Sequence, residues 1–196
     1  QYISDNKSRD HELAGASFAQ GDIVKTTIRC AHGETITLTL DTTLPRAYSR
    51  GFNVRGTKAA YNEENNSIFI DGVHNEFDGD WSVKWGNAKE YQEEYDHPIW
   101  KEYSKGDIKG GHDGMDWLVF SAFFESVKAG TQTPIDVYDT ATWMSISVLS
   151  EQSIACGGAV VAIPDFTNGK WLKPAKVKPS HYCLDEIGIT MCREKL

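Results

Sequence analysis

This sequence predicts an α+β fold: an open, mostly antiparallel β-sheet with helices packed on one face. Three observations point to it. Residues 22–30 and 34–41 read as two strands across a short turn. Two helical segments, 116–129 and 136–156, come later in the chain. Strands precede helices, without the strand–helix alternation that builds a parallel sheet. The 196 residues suffice for one domain with a real core, placed at 1–172 and followed by a tail at 173–196.

Each element follows from local pattern. Residues 1–21 are polar and carry no clear period. In ETITLTLD, Ile36, Leu38 and Leu40 alternate with Thr35, Thr37 and Thr39, which gives a strand one apolar and one polar face. The Ala31-His32-Gly33 turn joins it to the preceding run as a hairpin. Strand material continues at 51–55 and 58–62, with Gly56 as a bend or bulge between them. A turn at Asn65-Asn66 leads into 67–71. From 72 to 111 the pattern weakens, and NAKEYQEEYDHPIWKEY predicts short helices broken at Pro98.

Residues 116–129 are apolar on most sides and stop at Gly130, so that helix is expected to be largely buried. The next has Asp136 as N-cap and Asp139 in a capping-box position. Its apolar stripe reads Tyr138, Ala141, Met144, Val148 and Ala155, and it stops at Gly157-Gly158. Residues 159–163 predict a last short strand, ended by Pro164.

Composition excludes several functions. A net charge of −8 argues against a nucleic-acid partner, which needs clustered Lys and Arg. No apolar run reaches the roughly 20 residues of a membrane span. The sequence opens on polar QYISDNKSRDHE rather than a signal peptide, which leaves a soluble cytoplasmic or exported bacterial protein equally open. The four cysteines share no CxxC spacing, so no cysteine-built zinc site is expected. Cys30 is read as a buried strand thiol, and whether Cys183 and Cys192 pair stays open. No Gly-x-Gly-x-x-Gly turn and no P-loop occur, so no cofactor is expected on this chain.

Two clusters carry candidate chemistry. His112 and Asp116 lie four apart in GGHDGMDW. They could share a metal, although no third ligand is apparent. Alternatively Asp113 or Asp116 caps the helix while His112 bonds backbone, or His112 faces a substrate. In TTLPRAYSRG, Arg46, Tyr48 and Arg50 are alternate residues and would line one side of an extended segment. Tyr and Arg suit a polyol or an anionic group. The competing reading is an edge strand with solvated arginines. No two-carboxylate pair and no Gly-x-Ser-x-Gly elbow can be read from the sequence.

Three long segments together resemble one family. They are FAQGDIVKTTIRCAHGETITLTLDTTLPRAYSRGFNVRGTKAAY, GGHDGMDWLVFSAFFESVKAGTQTPIDVYDTATWMSISVLSEQSIACGGA and IPDFTNGKW. They resemble the C-terminal domain of Gfo/Idh/MocA-type oxidoreductases, nearest to the NAD-dependent α-N-acetylgalactosaminidase-like glycoside hydrolase family 109. The alternatives are the corresponding domain of an NAD(P)-dependent sugar dehydrogenase and a stand-alone carbohydrate-binding module. The resemblance implies a parent protein whose N-terminal Rossmann domain, absent from this sequence, binds NAD. The present domain would complete the sugar pocket and form homo-oligomers through its sheet face, for which the Thr35/Thr37/Thr39 side is a candidate. The implied chemistry is oxidation at C3 of the sugar, elimination, water addition and reduction, with the catalytic residues mostly upstream. Carried over by motif, Arg46, Tyr48, Arg50 and His112 are substrate-binding. Two departures stand out: Ala47 replaces a proline, and Asp113 replaces a glycine of a Gly-His-Gly-Gly-Met-Asp turn.

Overall fold

Short strands pair in two separate antiparallel groups, and the helices follow them, which makes the fold α+β. The computed structural model describes residues 2–18, 21–42, 44–75, 77, 79–106, 110–175 and 181–182. Most of the predicted tail, with Cys183 and Cys192, lies outside the described residues. The chain divides into two compact units, Gln1–Ala47 with Met144–Ile163, and Tyr48–Trp143 with Pro164–Leu196. No described helix is long and apolar enough to cross a membrane.

The first unit holds a short helix, α1 (Tyr2–Asn6), and the predicted hairpin of β1 (Ile23–Arg29) and β2 (Thr35–Asp41). Ile23 lies opposite Asp41 and Arg29 opposite Thr35. Gly33 takes a φ of 104° in the turn, a conformation that costs glycine nothing. Val24, Thr26 and Ile28 are half-buried while their neighbours are exposed, the period of two expected for a half-covered strand. Cys30 is half-buried rather than buried. In β2 only Asp41 is partly covered, so the apolar face expected to be buried is open to solvent. Among the described residues no strand pairs with its outer side.

The second unit holds a meander of β3 (Asn53–Arg55), β4 (Ala59–Asn62) and β5 (Ser67–Ile70). Gly56 closes the first turn by donating its N–H to Ala59 O at 2.8 Å. Asn66, at φ 47°, makes the second. Beyond the sheet, α2 (Lys89–Tyr95) and α3 (Pro98–Ser104) divide at Pro98, which sits in the first turn of α3, where a missing N–H costs no bond. α4 (Met115–Ala129) ends at Gly130 with φ 61°, and the Thr131 N–H returns to Ser126 O at 3.0 Å.

α4 is not buried as its composition predicts. Val119, Phe120, Phe123, Phe124 and Val127 are all exposed. A meander of three- and four-residue strands has too little apolar face to cover a fifteen-residue helix.

α5 (Val137–Ala155) starts on the reciprocal cap read from sequence. Asp136 Oδ1 accepts the N–H groups of Tyr138 and Asp139, and Asp139 Oδ2 accepts the N–H of Asp136. Its covered side differs from the predicted stripe. Met144 and Val148 are exposed, whereas Ser145, Ile146, Leu149, Ser150 and Ser153 are half-buried. The reason is a hydroxyl contact: Ser150 Oγ and Thr26 Oγ1 meet at 2.8 Å, so the helix turns a serine side toward β1. Residues 159–163 form no ladder, and the predicted last strand is absent among the described residues. Ser153 Oγ holds the start of that segment by donating to Ala159 O at 2.7 Å.

Candidate functional site

The segment at 46–50 has no regular secondary structure and no ladder partner among the described residues. Arg46 belongs to the first unit and lies with its Nε 3.6 Å from Asp41 Oδ2. That pair ties the loop to the end of β2. Tyr48 and Arg50 belong to the second unit. Tyr48 is 88% exposed and Arg50 is exposed, while Ser49 between them is half-buried and accepts the Gly51 N–H at 2.8 Å. Ala47 is exposed as Arg46 and Tyr48 are, so burial alternates only over 48–50 and not through the whole segment. Just beyond, Glu63 Oε2 accepts the N–H of Phe52 at 2.8 Å, fixing where the segment enters β3.

His112 precedes α4 in a tight turn. His112, Asp113 and Gly114 all have positive φ, at 49°, 55° and 90°. Asp113 thus occupies the left-handed conformation that a glycine would adopt freely. The ring Nδ1 of His112 lies 2.9 Å from Asp116 Oδ2, and both side chains are well exposed. The helix itself carries no side-chain cap at Gly114. Neither Asp113 nor Asp116 caps it; Asp116 instead holds the imidazole. Gly111 is needed for this geometry, because a Cβ there would meet Asp116 Oδ2 at 2.6 Å. Among the described residues no cluster of three or more His, Cys, Asp or Glu is placed to hold a metal ion. No hydrogen bond or ion pair joins Tyr48, Arg50 and His112 to one another.

Other polar groups converge where the sequence showed no period. His74 accepts the Ile70 N–H at Nδ1, which leaves its Nε2–H facing Tyr91 Oη at 3.2 Å. Phe69 and Trp81 pack against the same ring. His97 caps α3 by accepting the Ile99 N–H at 3.1 Å, and its Nε2 is buried with no partner among the described residues. Burial lowers the affinity of His97 for a proton, the facing His181 lowers it further, and Glu102 opposes both. His181 Nε2 lies 3.3 Å from Glu102 Oε2, and Tyr182 packs edge-on against Trp117. The one sequence signal for His97 is its place before Pro98. An open hollow of about 500 Å³ on the meander is lined by Val54, Lys58, Tyr61 and Ile68 among others. It is mostly apolar, and the Tyr61 hydroxyl there already donates to Asn66 Oδ1.

The sequence matches the profile described as "Glycosyl hydrolase 109, C-terminal domain" over residues 1–173. The chain belongs to glycosyl hydrolase family 109. It is 47% identical over 161 residues to a family 109 protein of Stenotrophomonas maltophilia, across 82% of this chain and 34% of the relative. Proteins named alpha-N-acetylgalactosaminidase from Tannerella forsythia and Shewanella oneidensis are 37% and 35% identical, over 87% and 83% of this chain and 35% of each relative. The family 109 domain thus spans about a third of the length of the curated relatives it matches.

Proposed function

We propose that this chain is the sugar-contacting domain of an NAD-dependent glycosidase of the α-N-acetylgalactosaminidase type. The observation that carries the reading is the family 109 match over residues 1–173, joined to relatives that bear that enzyme's name. The geometry supports a binding role more than a catalytic one. Tyr48 offers an exposed hydroxyl and Arg50 an exposed guanidinium, and both suit the hydroxyls and N-acetyl oxygen of an amino sugar. His112 is a third contact, oriented by Asp116. Arg46 is engaged with Asp41 and positions the loop. The sequence has no Gly-x-Gly-x-x-Gly turn, so its residues do not fit a dinucleotide phosphate. NAD and the groups that act with it belong to a Rossmann domain of the parent protein.

Three measurements test this. In the full-length parent, Arg50→Ala and Tyr48→Phe are expected to raise KM for an α-N-acetylgalactosaminide about tenfold, or about 1.4 kcal/mol, through lost polar contacts. Unchanged KM in both would remove these residues from the site. Calorimetric titration of the present chain with NAD is expected to give no heat, and micromolar binding would overturn the division of labour. Sugar binding by the chain alone, lost in both variants, would favour a stand-alone carbohydrate-binding module instead.

A further inference from the structure

His181 and Tyr182 lie beyond the family 109 match, which ends at 173, yet both belong to the second unit. The His181 Nε2–H points to Glu102 Oε2 of α3 at 3.3 Å. The Tyr182 ring meets Trp117 of α4 with ring centroids 6.5 Å apart and an interplanar angle of 69°. The two rings also meet each other edge-on, at 4.9 Å and 81°. Two neighbouring residues thus grip one side chain on each of two helices.

The two grips differ in strength. His181 and Glu102 are each nearly half exposed, so water screens their attraction and the ion pair alone holds little. An edge-to-face aromatic pair adds to ordinary apolar burial and imposes an orientation. Tyr182 is half-buried and His181 exposed, so the tyrosine is the anchor and the histidine follows it. His97, which caps α3, faces the same imidazole, and His181 is one of the groups that depress its proton affinity.

The neighbours of Trp117 give these contacts a consequence. Gly110 leads into the turn before α4, and a Cβ there would meet Trp117 Cβ at 3.3 Å. Asp116, the residue before Trp117, holds the His112 ring at 2.9 Å. Gly114 supplies no side-chain cap, so the place of the turn depends on what fixes the first turn of α4.

We propose that His181 and Tyr182 form a clasp between α3 and α4 that positions the His112–Asp116 turn. Both are positioning residues, and Tyr182 acts through Trp117 rather than by a contact of its own with His112. A consequence for sugar binding rests on the reading of His112 as a substrate contact; the clasp itself does not.

Histidine side-chain NMR of the chain as it stands tests the clasp, with His112→Gln and His97→Asn assigning the signals. Tyr182→Ala is expected to shift the His112 ring resonances. By releasing His181 it should also raise the pH at which His97 titrates. Tyr182→Phe keeps the aromatic edge and is expected to show wild-type values for both rings. His181→Gln should raise the His97 midpoint and move His112 less. The His74 ring, held by Ile70 and Tyr91, should stay in place and so controls for general unfolding. Should His74 move in Tyr182→Ala, Tyr182→Leu, which keeps apolar bulk, takes its place. His112 resonances unchanged on loss of the aromatic ring, or shifted as far by Tyr182→Phe, overturn the proposal. In the full-length parent, Tyr182→Ala is expected to raise KM about threefold and leave kcat within about twofold, with Tyr182→Phe matching wild type. Shifted His112 resonances with an unchanged KM would uphold the clasp and remove His112 from the sugar site.

Discussion

His97 shows how one residue can couple structure to pH. Its Nδ1 caps α3, and its Nε2 is buried without a partner, so adding a proton there puts charge where nothing described receives it. Burial, then His181, lowers its proton affinity below that of an ordinary imidazole, with Glu102 opposing. A histidine with a lowered folded-state pKa binds more protons when unfolded, so its contribution is complete above about pH 6.5 and falls as the medium is acidified through that value toward the folded pKa. His97→Asn keeps a capping side chain and removes the titration. Denaturant titrations from pH 7.5 to 5 should show wild-type stability falling more steeply than that of the variant, and equal slopes would refute the account. Asp113 offers a second test. It sits at φ 55°, where an L-residue is strained by about 1–2 kcal/mol, and glycine would relieve the strain at some cost in entropy. Asp113→Gly is expected to leave stability unchanged or raise it by up to about 1 kcal/mol, read from the urea midpoint. The sequence pointed to this position through the departure from a family glycine. It gave no reason to single out His97 beyond the proline that follows it.

Among the elements, those closed by local chemistry were legible and those closed by distant side chains were not. The Asp136–Asp139 cap and the Gly130 stop need only neighbouring residues, and both stand where the sequence put them. The stretch from 72 to 111 showed no period because side chains at a distance complete it. Asn87, only 6% exposed, acts as a missing strand partner for β5: its Oδ1 accepts the Ile68 N–H at 2.7 Å and its Nδ2 donates to Ile68 O at 2.9 Å. His74 serves the Ile70 N–H in the same way. Removing such a group leaves both backbone partners at Ile68 unsatisfied. Asn87→Ala should therefore cost about 1–3 kcal/mol. Asp136→Ala should cost about 1 kcal/mol, since its exposed N–H groups can turn to water. Chemical denaturation of the two variants orders them, and an Asn87→Ala loss no larger than that of Asp136→Ala would deny the strand-partner role. The covered side of α5 escaped prediction for a related reason. A stripe assembled from Met144 and Val148 assumes an apolar neighbour, whereas β1 presents Thr26 to a serine.

At the scale of the whole molecule, buried apolar surface is scarce. Among the described residues only Ala88 and Ile99 are fully buried apolar side chains, and both belong to the second unit. A fully buried aliphatic side chain contributes about 1.5–3 kcal/mol, so the first unit, with none described, has little to set against the entropy of ordering its chain. Its hairpin, a two-stranded pair, is then expected to unfold more readily than the second unit. The distribution of tryptophan makes this measurable. All six tryptophans lie in the second unit, at positions 81, 85, 100, 117, 143 and 171, so their fluorescence reports that unit alone. Far-ultraviolet circular dichroism reports β1, β2 and the end of α5 as well. Thermal unfolding followed both ways should give transitions that do not coincide. The dichroism midpoint should lie below the fluorescence midpoint, because the first unit has no fully buried apolar side chain described. Coincident transitions would mean that the hairpin and the second unit unfold as one cooperative whole.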